Sequence, residues 1–200
     1  MKRKYESKPL TRWFKLKGEN ISPKYFYYDN KKAVFLISEP EDYFQLGSIK
    51  WNKYKTRLNI GCSISTIKEL KNNKFLLFYK KIVKEKFSEK NISILKSNLQ
   101  KCIRRSKIQE SLNTGLTLLC LNENEILRRL PIIMLEDVIL SNEFTLLIWL
   151  MCAVSKGFKL NDYFLNKILN IIKNLSLSKN RDYYKNNEKK ILNLTKKKLD

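Results

Sequence analysis

Histidine is absent from this 200-residue chain, which removes the side chain used most often for proton transfer at neutral pH and for metal binding. Glycine and proline are scarce, and none of the five glycines is followed by the Lys-Ser or Lys-Thr pair of a P-loop. The four cysteines form no CxxC pair, so the sequence predicts no zinc site and no cofactor. We therefore predict that the protein is not an enzyme. A metal-independent enzyme would need an unpaired carboxylate in a cleft, which no sequence pattern reveals.

Long hydrophobic segments are also missing. The longest apolar run, residues 144–154, is too short to cross a bilayer and predicts a buried helix instead. The first ten residues contain no apolar segment, so we expect no signal peptide. Three cysteines lie among apolar residues, where a free thiol packs as a small hydrophobic group. This usage is typical of a reducing compartment and predicts an intracellular protein, with a virion or a viral replication site as further locations.

Carboxylates are few, since 19 Asp and Glu stand against 41 Lys and Arg, for a net charge of +22. Such a charge attracts polyanions; nucleic acid is the first candidate and an anionic membrane surface is the second. Codon bias in an AT-rich genome is the alternative source of the lysines, although it does not explain the shortage of carboxylates. Residues 1–98 carry a net +14, residues 99–175 only +3 and residues 176–200 +5. A polyanion is therefore expected to bind the two flanks of the chain.

The spacing of apolar residues predicts a mainly α fold, with a small N-terminal α+β portion, a helical bundle and a basic C-terminal tail. The expected boundaries are a basic arm over 1–22, a basic α+β portion over 23–90, a helical module over 91–175 and a basic tail or peripheral helix over 176–200.

Local signals predict several individual elements. Two short aromatic or β-branched runs, at 25–28 and 33–37, predict a β-hairpin. Residues 38–42 have the composition of a helix start, so a short helix ending near Gly47 is expected. Gly115 predicts the close approach of a neighbouring helix, and Pro131 predicts a kink or break before Ile132. Gly157 is the expected stop of the most apolar helix.

Aromatic and basic residues alternate within residues 49–60, a pattern that suits single-stranded nucleic acid because rings stack on bases while cations hold phosphates. The alternative for residues 49–60 is an edge strand or loop whose aromatics are half buried and whose lysines are solvated. Further lysines crowd the solvated side of the helix predicted near residue 80. The predicted nucleic-acid-binding residues are Lys50, Trp51, Lys53, Tyr54, Lys55, Arg57, Lys80, Lys81 and Lys84.

Two arginine pairs and one acidic pair lie in the most apolar third of the chain. Buried charges need partners, so these side chains are expected to form structural ion pairs that fix how the helices dock. The predicted members are Arg104, Arg105, Arg128, Arg129, Glu136 and Asp137. Arg104 and Arg105 would also stabilise the C-terminus of their helix without any ligand.

The segments LQKCIRRS (99–106) and LRRLPIIMLEDV (127–138) resemble the helical C-terminal part of clamp-loader-like AAA+ ATPases of the genome-maintenance (MgsA) type. They are also similar to a pattern in uncharacterised proteins of large DNA viruses. Ser106 stands where that family has glycine, and the ATPase core is missing. The resemblance implies a module for assembly or DNA contact in replication or repair, without nucleotide hydrolysis. It marks eight residues as defining the module: Leu99, Lys101, Arg104, Arg105, Arg128, Arg129, Glu136 and Asp137.

Taken together, these features predict a non-enzymatic nucleic-acid-binding accessory protein in the replication, repair or packaging of a viral or AT-rich genome. The partner is DNA or RNA, and the helical module holds the shape or binds a protein. The alternative is a structural or assembly subunit, such as a virion component, whose basic surface faces an acidic protein.

Overall fold

A small sheet occupies the N-terminal side of the protein. A computed structural model describes residues 23–51, 56–69, 73–138 and 140–179. The strands of the sheet are β1 (Tyr25–Tyr28), β2 (Ala33–Leu36), β3 (Phe44–Trp51) and β4 (Thr56–Cys62). They lie in the order β2-β1-β4-β3, with β1 and β4 parallel and the two outer pairs antiparallel. The predicted hairpin is confirmed as β1 and β2.

Seven helices follow the sheet in the described part of the chain. They are α1 (Ile64–Glu69), α2 (Lys74–Lys86), α3 (Ile92–Arg104), α4 (Ile108–Leu121), α5 (Glu123–Asp137), α6 (Glu143–Val154) and α7 (Asp162–Leu177). The predicted fold class, a small sheet followed by a helical bundle, is confirmed. The arm over 1–22 and residues 180–200 of the predicted tail lie outside the described residues.

The sheet packs against α6 through aromatic side chains. The Trp149 indole N–H donates a hydrogen bond to the Gly61 carbonyl at 3.0 Å, and its ring lies 5.0 Å from that of Tyr28. A Cβ at Gly61 would lie 2.0 Å from Cε2 of Tyr43, so only glycine fits there. The buried residues of the sheet and of the helices form one continuous hydrophobic cluster.

Two glycines have the structural roles that their positions in the sequence predict. A Cβ at Gly115 would lie 2.4 Å from Cδ1 of Ile172, which confirms that a neighbouring helix, α7, comes close to α4 at this point. Gly157 has φ 89° and follows the end of α6, where the Phe158 N–H donates to the Ala153 carbonyl at 3.1 Å. The predicted stop of α6 is therefore confirmed.

The prediction of a helix that starts at residues 38–42 is wrong, because the strand β3 begins at Phe44. Its backbone pairs with β4, and this pairing overrides the local helix-start signal. The acidic residues serve other groups. The Asp42 carboxylate accepts the Ile64 N–H at 3.0 Å, at the start of α1, and Glu39 accepts the Tyr25 hydroxyl at 3.0 Å. Asp42 thus helps to cap a helix that is distant in sequence.

Of the kink or break predicted before Ile132, the break is wrong, because α5 continues through Pro131 to Asp137. Proline removes one backbone hydrogen bond from a helix interior. The residues around it are nevertheless buried on one face, where they hold both halves of the helix against the core. These buried residues are Ile126, Leu127, Leu130, Ile133 and Met134.

Candidate nucleic-acid interface

The position of α2 is set by one carboxylate at the start of α7. Asp162 is buried, and it accepts the Phe75 N–H at 3.1 Å and the Leu76 N–H at 2.8 Å. These bonds satisfy two of the N–H groups that a helix start leaves unpaired. Leu76 and Val83 are the buried residues of α2. The helix is therefore held at its N-terminus and turned so that its opposite side faces solvent.

That outer side combines apolar rings with lysines. Phe75 is 66% exposed and Phe78 is 60% exposed, although the apolar spacing alone gives no sign of this. Lys74, Phe78 and Lys81 follow one another at steps of about one helical turn, which places them on the same side. We name the exposed set of Lys74, Phe75, Phe78, Lys81 and Lys84 the α2 platform.

Of the three lysines predicted on this helix, Lys81 and Lys84 are exposed and belong to the platform. Lys80 is turned differently, because its ammonium lies 3.4 Å from the Glu123 carboxylate at the start of α5. This ion pair joins α2 to α5. Sequence spacing could not separate Lys80 from its neighbours, since the difference depends on where α5 begins in space.

Part of the predicted basic segment lies on the β3–β4 hairpin. Lys50 and Arg57 are exposed and stand directly opposite each other in the two strands. Two like charges in this position repel each other, so an anion bound between them would relieve the repulsion. Trp51 ends β3 in register with Thr56. Lys53, Tyr54 and Lys55 lie outside the described residues.

The predicted ion pairs gather in part between α3 and α5. The Arg104 guanidinium lies 2.8 Å from Oδ1 of Asp137. Gln100 lies at the centre of this cluster, because its amide group donates to Asp137 at 2.5 Å and to Glu136 at 3.1 Å. Its oxygen accepts a hydrogen bond from Arg129. Arg129 therefore reaches the acidic pair through Gln100, an uncharged residue that a pairing of opposite charges in the sequence does not predict.

The remaining members of the predicted set stand apart from this cluster. Arg105 and Arg128 are exposed, and neither forms an ion pair within the described ranges. Nε of Arg129 is buried and has no acceptor among the same residues. The geometry thus favours an interhelical docking role for Arg104, Arg129 and Asp137, and leaves Arg105 and Arg128 at the surface.

Two buried thiols have strongly raised pKa values. Burial raises the pKa of Cys62 to about 12 and that of Cys120 to about 11. Both thiols stay protonated at neutral pH, whereas a thiolate is the form that attacks substrates and binds metals. The described residues contain no group of three side chains able to hold a metal ion. In the same part of the chain, no helix combines the length and apolarity needed to cross a membrane.

Comparison of the chain with known protein families, curated proteins and solved structures finds no match. The resemblance of residues 99–106 and 127–138 to an AAA+ module stays a prediction.

Proposed function

We propose that this protein is a non-enzymatic accessory protein that binds nucleic acid, and that a single strand lies on the α2 platform. The observation that carries the proposal is the juxtaposition of two exposed phenylalanine rings with lysines on one anchored helix. Phenylalanine rings stack on unpaired bases of any sequence, while lysines hold the adjacent phosphates. A duplex hides the faces of its bases, so the platform favours single strands.

The exposure of the platform rings supports a binding role. Phe75, Leu77 and Phe78 are more than half exposed and follow closely along one helix. Scattered exposed apolar residues need no explanation, whereas a contiguous apolar patch marks an interaction surface. Codon bias, the alternative source of the lysines, does not explain why phenylalanine rings stand exposed between them.

The wider charge of the described part supports the same partner. The described residues carry 24 Lys and Arg against 14 Asp and Glu, a net charge of +10. The basic character therefore does not depend on the arm and the tail alone. Lys50 and Arg57 on the β3–β4 hairpin supply a second exposed basic site for the phosphate backbone.

The test is fluorescence anisotropy with labelled oligothymidine and with a duplex of the same length. The double variant Phe75→Ala, Phe78→Ala should bind the single strand at least about tenfold more weakly, because each stacked base contributes about 1–3 kcal/mol. Its affinity for the duplex should stay close to that of the unchanged protein.

The matched control is Ile94→Ala, which removes an exposed apolar side chain from α3 and should leave both affinities unchanged. Circular dichroism checks that each variant is folded. Unchanged single-strand binding by the folded double variant would contradict the proposed platform.

A second candidate is an assembly subunit that binds a protein partner. It is favoured by two exposed apolar residues one turn apart on α5, Ile132 at 38% and Leu135 at 53%. A stoichiometric complex that persists at high salt and is lost in Ile132→Ser, Leu135→Ser would support this candidate, since an apolar interface is not screened.

A further inference from the structure

A cavity of about 330 Å³ lies between the β1–β2 turn, the start of α6 and one face of α7. Its volume is within the range of about 300–1,000 Å³ that is usual for small-molecule sites. The buried residues Ala33, Leu146 and Ile171 contribute apolar surface to its lining. We name it the lysine cavity, because its polar lining includes Lys31, Lys32 and Lys167.

The charge of the lining is positive. Among the described residues that line the cavity, three lysines face one carboxylate, that of Glu143. None of these three lysines forms an ion pair with a described residue. Asn142, Asn170 and Asn174 add amide groups that both donate and accept hydrogen bonds. The lining therefore suits a ligand that joins an anionic group to a neutral polar group.

The β1–β2 turn is held in place by several hydrogen bonds. The Asp29 carboxylate accepts the backbone N–H groups of Lys31 and Lys32 at 2.9 and 2.8 Å. The Tyr163 hydroxyl donates to the Asn30 carbonyl at 2.9 Å, which ties the turn to α7. The cavity wall is thus preorganised before any ligand binds, which lowers the entropic cost of binding.

Tyr163 also orients the third lysine. The Lys167 ammonium lies 5.1 Å from the centre of the Tyr163 ring, one helical turn away along α7. One tyrosine therefore contacts the turn that carries Lys31 and Lys32 and also contacts Lys167. This shared contact links the turn that carries Lys31 and Lys32 to the helix that carries Lys167.

We infer that the lysine cavity binds a phosphate monoester carried by a small polar molecule, either a free nucleotide or the phosphorylated end of a nucleic-acid strand. The lysines bind the phosphate, since charge-assisted hydrogen bonds are the strong ones. The asparagine amides bind the polar group, and Glu143 limits the affinity by repulsion. The cavity shares no residue with the α2 platform, so this inference does not rest on the proposed function.

The experiment is isothermal titration calorimetry of the full chain with AMP and with adenosine as the neutral analogue. A second pair of ligands is a short oligothymidine with a 5′-phosphate and the same strand with a 5′-hydroxyl. Lys167→Gln, and separately the double variant Lys31→Gln, Lys32→Gln, should weaken phosphate binding at least about tenfold. Glu143→Gln should strengthen it.

Lys173→Gln is the matched control, because it removes an exposed lysine from the same helix but outside the cavity lining. Selective loss of AMP binding in the cavity variants supports a free nucleotide. Selective loss of 5′-phosphate recognition supports a strand end. The inference is overturned if neither phosphate ligand binds more tightly than its unphosphorylated analogue, or if Lys173→Gln weakens binding as much as the cavity variants do.

Discussion

At the residue scale, Ser106 has a backbone conformation that is unfavourable for a residue with a Cβ. It has φ 56°, a left-handed conformation that favours glycine. The Lys107 N–H donates to the Cys102 carbonyl at 2.9 Å, which is the bond that closes a helix C-terminus of this kind. Ser106 is also the residue that departs from glycine in the resemblance of residues 99–106 to AAA+ proteins.

We predict that Ser106→Gly raises the free energy of unfolding by about 1 kcal/mol, because it relieves the left-handed strain of a residue with a Cβ. Urea unfolding followed by circular dichroism measures the difference. Ser97→Gly, at an exposed position in the middle of α3, is the control and should lower stability instead, since glycine disfavours a helix interior. A loss of stability in Ser106→Gly would contradict the assignment of strain.

A second residue-scale prediction concerns the capping of α2. Asp162→Ala removes the acceptor of two backbone N–H groups and should lower the free energy of unfolding by about 2 kcal/mol. Asp162→Asn keeps one acceptor oxygen and should lose less. Thermal unfolding of both variants makes the comparison, and equal stability of Asp162→Ala and the unchanged protein would contradict the capping role.

At the scale of the elements, α3 and α5 are docked by a polar cluster. The Asp137 side chain is 9% exposed and receives hydrogen bonds from both Arg104 and Gln100. A carboxylate at the C-terminal end of a helix is unfavourable next to the helix dipole, so it needs these donors. The cluster therefore specifies how the two helices are aligned.

Arg104→Met should lower the free energy of unfolding by about 1–2 kcal/mol, because it takes a cation from a nearly buried carboxylate while Gln100 remains as a donor. Arg105→Met removes an exposed charge from the adjacent position and should change stability by less than about 0.5 kcal/mol. Both variants alter the end of α3 in the same way, so the difference between them isolates the Asp137 contact. Equal stabilities in urea unfolding would contradict that role.

The elements that the sequence predicts best are those whose signals are local. The strands of the first hairpin and the helices α3, α4, α6 and α7 follow from apolar spacing, caps and glycines, whereas the continuity of α5 through Pro131 does not. β3 and the rotation of α2 depend on groups distant in sequence, namely the backbone of β4 and the Asp162 carboxylate. No local sequence pattern predicts contacts with the backbone of β4 or with the Asp162 carboxylate. The platform phenylalanines were therefore indistinguishable from core residues, and the lysine cavity combines segments more than a hundred residues apart.

At the scale of the whole molecule, one hydrophobic cluster joins the sheet to the bundle, and the basic charge is spread over its surface. The positive charge can therefore act on a polyanion in two ways, which experiments can distinguish. A diffuse field attracts any strand and depends on the net charge alone. Lysines that contact phosphates displace counterions, and their number sets how steeply affinity falls with salt.

The triple variant Lys74→Gln, Lys81→Gln, Lys84→Gln should bind oligothymidine more weakly. The slope of log affinity against log salt concentration should become shallower by about 2, because each phosphate contact on a single strand contributes about 0.7 to that slope. The triple variant Lys159→Gln, Lys173→Gln, Lys179→Gln removes the same charge from exposed positions away from α2. Its slope should stay that of the unchanged protein. Anisotropy titrations across a range of salt concentrations measure all three slopes. If both variants reduce the slope equally, the net charge rather than the α2 platform governs binding. A selective reduction in the first variant would place the phosphate contacts on α2, since only local contacts can distinguish two proteins of identical charge.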